Sequence, residues 1–179
     1  MKKSSIIFIL AVALVSSVII YGQNFIPALG VNGLVLSYAD YLKNLDGLLR
    51  FNSLQPEPIS NLDMERVAIN SFLEDVFMRQ ELLRRGRGEA DVDKFVYAAV
   101  KEEDLANLSQ ATSQLYGWSV DDFKKFVLYP QARRIILSQE FEKEKADPAA
   151  WLEKSVNEAK ISIYLPRWKW GDGEVRRRY

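Results

Sequence analysis

The sequence predicts a mostly α domain, several helices gathered around one long helix and closed by a small antiparallel sheet, behind an amino-terminal transmembrane or signal helix. Three observations carry this. Between Ser60 and Gly86, Leu62, Val67, Ile69, Phe72, Leu73, Val76, Phe77, Gln80 and Leu83 recur at the three- and four-residue steps that share one helix face. The same period returns in shorter stretches on both sides. Only two segments read as strands, about 30–36 and about 160–165, and because a lone strand leaves backbone groups unpaired, the two are expected to pair.

Composition sets the outer bounds. At 179 residues, 48% hydrophobic and 27% charged, the chain has room for one ordinary globular domain and a short appendage. It has no cysteine and no histidine, which removes disulfides, thiol nucleophiles, Cys/His zinc sites and imidazole acid–base chemistry. Net charge is zero but unevenly spread. Lys2 and Lys3 give +2, the segment from Arg167 sets five cations against Asp172 and Glu174 for +3, and the body between carries about −5. Such a body argues against nucleic acid as a partner, since phosphate binding needs a concentrated basic face.

Residues 1–22 combine Lys2-Lys3 with an uncharged apolar run from Ile6 to Ile20. This is a signal anchor or signal peptide, with the membrane as partner of residues 6–20. The two lysines predict a cytoplasmic amino terminus and an extracytoplasmic main domain. Cleavage at Ala28-Leu29-Gly30, giving a secreted protein, is the alternative. The reading divides the chain into this anchor, a linker over 23–28, a helical domain over 29–166 and a basic, tryptophan-containing tail over 167–179.

The remaining elements carry their own punctuation. Asn32-Gly33 between apolar flanks is a hairpin signal, and Ser37 with Asp40 caps a helix whose stripe is Tyr38, Tyr41, Leu42, Leu45, Leu48 and Leu49. Pro56 and Pro58 end it. Ser60 with Asp63 opens the long helix, and Gly86 supplies a left-handed stop. Val92, Phe95, Val96, Ala99 and Val100 mark a third helix, and Lys101–Asp104 a break before the next. Ser119 with Asp122 opens another stretch, which Pro130 should kink or break near Leu128 and Tyr129. Asp147-Pro148 starts a short helix to about Glu158, and Pro166 stops the closing strand.

No residue is assigned a catalytic, cofactor or metal role. The acids Asp121, Asp122, Glu102, Glu103, Asp104, Glu140, Glu142 and Glu144 lie at helix starts or on solvent faces, where acids belong without a function. Trp168 and Trp170, flanked by Arg167 and Lys169, suit stacking, a bilayer interface or a tail folded back on the sheet. The apolar and aromatic residues exceed what a domain of this size buries. From them Phe77, Met78, Tyr97, Tyr116, Trp118 and Tyr129 are taken as a candidate surface for apolar peptides. Such a surface equally permits a homodimer.

The order of these signals resembles the amino-terminal module of the SurA and PrsA parvulin-type foldases. The matching stretches are Val31-Asn32-Gly33 followed by Ser37, Phe72-Leu73-Glu74-Asp75 with Gln80-Glu81-Leu82 through Gly86, Leu115–Ser119 to Phe123-Lys124, and Trp151-Leu152 with Ala159–Ile163. They span roughly residues 28–165. Isomerase-bearing members insert parvulin domains at the place that corresponds to Ala146-Asp147, where this chain runs straight on. The resemblance therefore implies an anchored chaperone core for unfolded or translocated polypeptides, without prolyl isomerase activity and without a cofactor. An adaptor holding one fixed envelope partner is the alternative.

Overall fold

A computed structural model describes residues 26–100 and 105–178. The anchor segment and the expected break at Lys101–Asp104 lie outside the described residues. Among those residues no helix is long and apolar enough to cross a membrane. The architecture is mostly helical with small antiparallel sheets.

The chain enters through a hairpin, β1 (Pro27–Val31) and β2 (Leu34–Ser37). Asn32 and Gly33 both have positive φ, 50° and 87°, the type I′ geometry that an Asn-Gly pair adopts readily. The stretch 30–36 is therefore not one strand. Its middle is the turn, and the strand that meets β3 (Ile161–Ile163) is β1, with Leu29 opposite Ile163 and Val31 opposite Ile161. The sheet order is β2-β1-β3, which buries Ala28, Leu29 and Val31 completely and leaves β2 as an outer strand.

Ser37 accepts the Asp40 N–H at 3.1 Å and starts α1 (Tyr38–Ser53), while the Asp40 carboxylate turns outward to Lys125 Nζ at 2.6 Å. Buried Asn52 then fixes the proline-containing loop by two bonds to Ile59, donating to its carbonyl at 2.9 Å and accepting from its N–H at 3.0 Å. Ser60 caps α2 (Asn61–Arg84). Its far end is a Schellman stop in which Gly86, at φ 76°, lets Arg87 N–H reach the Leu82 carbonyl at 2.8 Å.

The buried face of α2 keeps Ile69, Leu73, Val76 and Phe77 of the expected stripe but is wider than it. Val67 and Leu83 are exposed, whereas Met64, Ala68, Met78, Glu81 and Leu82 are buried. The physical reason is that α2 serves two cores. Ala68, Ile69, Leu73, Val76 and Phe77 pack with the sheet and α1, while Met78 and Leu82 pack on the opposite side with Val92, Ile136, Leu137 and Phe141. Those partners come from α3 (Glu89–Ala99) and α6 (Tyr129–Glu144).

Between them run α4 (Leu105–Tyr116) and the single turn α5 (Val120–Phe123), the latter opened by the reciprocal bonds of Ser119 and Asp122. Pro130 neither breaks the path nor stops it. Because proline offers no N–H and crowds the carbonyl four residues back, residues Lys124–Leu128 widen to a π-turn, closed by Tyr129 N–H on the Lys124 carbonyl. After α6, Lys145 takes the left-handed conformation, Asp147 caps α7 (Pro148–Glu158), and β3 follows.

The segment after Arg167 is not a loose tail. It forms a second hairpin, β4 (Trp168–Gly171) and β5 (Glu174–Arg177), across an Asp172-Gly173 turn of the same positive-φ kind. Trp168 and Val175 are buried in the same core as Ile69. Trp168 Nε1 donates to Glu65 at 2.7 Å, so this indole is unavailable for stacking or for a bilayer.

Candidate functional site

Three of the six candidate peptide-binding residues are core. Phe77, Met78 and Trp118 keep only 3–4% of their surface exposed, because α2 is covered on both flanks and Trp118 is drawn down onto α1. Tyr97 is 74% exposed on α3. Tyr116 lies inside a stack of rings, 4.8 Å from Phe51 and 4.6 Å from Trp118 between centroids. Tyr129 lines one open groove, while buried Phe77 and Met78 reach the floors of two others. The six do not form one surface.

The groove that contains Tyr129 holds about 330 Å³ and lies where β2, α1, α2, the π-turn and α6 meet. Its apolar lining comes from Val35, Phe72, Phe126, Tyr129 and Pro130. The widened turn before Pro130 sets Phe126 at this wall, with its ring also tilted against Trp118 at 5.3 Å. Trp118 is held in turn by its Nε1–H bond to the Lys43 carbonyl at 3.0 Å. The indole occupies the space over Gly47, where a Cβ would fall 2.0 Å from the ring. A glycine in α1 thus sets the position of one groove wall through two aromatic rings.

Beneath the groove runs a charged network. Arg133 donates through Nη1 to both Asp75 oxygens, at 2.7 and 2.9 Å, and through Nη2 to Glu89 at 2.7 Å; Arg79 closes the chain on Glu89 at 2.9 Å. It joins α2, α3 and α6. Burial pushes the Asp75 carboxyl above the usual carboxylate range, a shift that the Arg133 charge partly offsets. Arg133 Nε is buried without a hydrogen-bond partner, so the guanidinium is held by its two terminal nitrogens alone.

β2 borders the groove through Val35 and Leu36. Across a two-residue turn Val31 and Leu34 form the first hydrogen-bonded pair. Gly30 and Val35 then form a non-bonded pair, in which the Val35 N–H and C=O point away from β1. Among the described residues no strand pairs with that edge, and the Val35 side chain is 60% exposed beside it. A second cleft, about 570 Å³, lies between α2, α7 and the carboxy-terminal hairpin, with Val67, Leu152 and Trp170 on its walls and Phe77 beneath. Strands β4 and β5 border it through Trp170, Glu174 and Val175.

Among the described residues no group of acids is placed to hold a metal ion. Sequence reading missed the importance of Val35, Asp75 and Arg133. Their meeting depends on partners up to about a hundred residues apart; the one local signal was Pro130 inside a helical pattern, which marks a place where the ladder must deform. The chain matches no family model, no curated protein and no solved structure.

Proposed function

We propose that this protein binds extended apolar segments of unfolded or translocated polypeptides, as a chaperone-like module held at the extracytoplasmic face of a membrane by residues 6–20. The observation that carries this is the coincidence of an outer strand edge at Val35 with a groove lined by Phe72, Phe126 and Tyr129. An extended chain added beside β2 gains main-chain bonds that do not depend on sequence, while alternate side chains enter the groove. That combination gives broad rather than narrow recognition.

The resemblance to the foldase module agrees with this reading. On that resemblance the chain-end closure would be β1 with β3, and the place of insertion Ala146-Asp147, between α6 and α7. The reading assigns the protein no isomerase activity; unchanged kinetics in proline-limited refolding is the expected result.

The test is binding of a fluorescent, permanently unfolded protein to the full chain in vesicles, with Val35→Pro compared with Val35→Thr. Proline removes the outward N–H at an edge position that tolerates it. Expected is micromolar binding that Val35→Thr keeps and that Val35→Pro and Phe126→Asp each lower at least tenfold. No binding at tens of micromolar overturns the proposal. One stable partner captured in place of unfolded chains makes the protein an adaptor.

A further inference from the structure

We infer that the open end of the β4–β5 hairpin is a docking face for anionic phospholipid headgroups of the membrane that holds the anchor, a reading that rests on the anchor assigned above. The charges of this hairpin are sorted along its length. Asp172 and Glu174, at the turn, both engage Arg176 and leave it no net charge to offer. Arg167, Arg177 and Arg178 stand at the opposite end, with Trp168 opposite Arg177 and Arg178 N–H bonded to the Arg167 carbonyl at 2.8 Å. All three are exposed, and among the described residues the acid bonded to this end is Glu65, itself only 17% exposed and taken by Arg167 and Trp168. This is a cationic pole on a domain whose body is acidic.

The pole lies where the chain arrives from its amino terminus. Arg178 Nη2 donates to the Ile163 carbonyl at 3.1 Å, Ile163 is opposite Leu29, and Tyr164 N–H donates to the Ala28 carbonyl at 2.9 Å. Residues 26–28 therefore adjoin the arginine end. Five residues separate Ile20, the end of the apolar run, from Ile26, six steps of chain and a reach of about 20 Å at full extension. A tether that short keeps this pole close to the headgroup layer whatever the domain's tilt. Tyr164 and Ile26, 57% and 52% exposed, add an aromatic and an apolar side chain suited to that layer. Each arginine near an anionic surface shifts the docked ratio about fivefold, so two shift it nearly thirtyfold, and the attraction fades beyond a Debye length.

The absence of cysteine permits single labels on the full chain in vesicles. A fluorophore at Ser162→Cys reports the pole. One at Glu142→Cys reports the far end, since Glu144 pairs with Arg85 about 30 Å along α2 from Glu65. Headgroup-quencher lipids are included in neutral phosphatidylcholine or in mixtures with phosphatidylglycerol, and alkaline extraction scores the anchor separately. Expected is quenching at Ser162 and not at Glu142 in anionic vesicles, lost in 0.5 M salt (about a 4 Å screening length) and reduced about thirtyfold in ratio by Arg167→Gln with Arg177→Gln. Equal quenching in neutral vesicles, or none while the chain resists extraction, overturns the docking face. Extraction of the chain at alkaline pH with salt-sensitive quenching retained overturns the anchor and leaves the lipid face standing.

Discussion

Gly47→Ala tests the packing that sets the groove wall. In the middle of a helix this change ordinarily stabilises, by up to about 1 kcal/mol, because glycine costs more backbone entropy than alanine. At Gly47 the new Cβ falls 2.0–2.3 Å from Cε2, Nε1 and Cζ2 of Trp118, far inside any contact distance. Trp118 cannot yield by a small rotation, since its Nε1–H is fixed on the Lys43 carbonyl and its ring is stacked on Tyr116 at 4.6 Å. The indole must leave its seat. Overpacking a core costs about 1–3 kcal/mol, and losing an indole's burial altogether costs about 3–5. After the helical gain is subtracted, Gly47→Ala should destabilise by about 2–4 kcal/mol, read as the urea midpoint by far-ultraviolet circular dichroism. In a Trp118→Ala background the obstacle is gone and the same substitution should stabilise by roughly 0.5–1 kcal/mol. Gly47→Ala stabilising the otherwise unchanged chain, or destabilising both backgrounds alike, would refute the reasoning.

The buried network gives a second prediction: Asp75→Ala, which strands Arg133 without its main counter-ion, should cost about 3–5 kcal/mol, whereas replacing both by apolar residues, Asp75→Leu with Arg133→Met, should cost much less. Chemical denaturation of the three chains decides it. Acid titration separates two carboxyls of opposite sense. Hydrogen bonds from Arg84, opposed by burial and aided by Arg85, hold Glu81 below the usual range. Its contribution is full above the unfolded-state value and is lost as pH falls through the lower folded one, so Glu81→Gln should flatten the stability curve below about pH 4.5. Asp75, shifted upward by burial, binds its proton more readily when folded, and its contribution grows as pH falls; Asp75→Asn should therefore steepen the acid loss. Midpoints measured from pH 7 to 3 check both slopes.

Much of the local structure was legible because its signals act over three or four residues. Ser37, Ser60, Ser119 and Asp147 each accept a backbone N–H two or three residues on, which a capping sequence specifies by itself. Gly33 and Gly86 hold positive φ where turn chemistry required it. Asp172-Gly173 carried the same information as Asn32-Gly33. It is masked in the sequence because the flanking segments, with three arginines in a row at 176–178, have the composition of a tail, and only burial of Trp168 and Val175 makes them strands.

The candidate surface was less legible, for a reason visible in Met78 and Trp118. Residue type says that a side chain is apolar and helical spacing says which face it shares, but neither says how many neighbours cover that face. The sequence by itself determined the helix ends, the tight turns, the absence of thiol and imidazole chemistry and the separation of charge along the chain. Tertiary structure alone decided that α2 is covered on two flanks, that Trp118 sits on Gly47, and that Asp75 meets Arg133 across 58 residues. Caps and turns are fixed by bonds within one turn of chain, whereas burial and ion pairing depend on the register of elements distant in sequence, which no local pattern encodes.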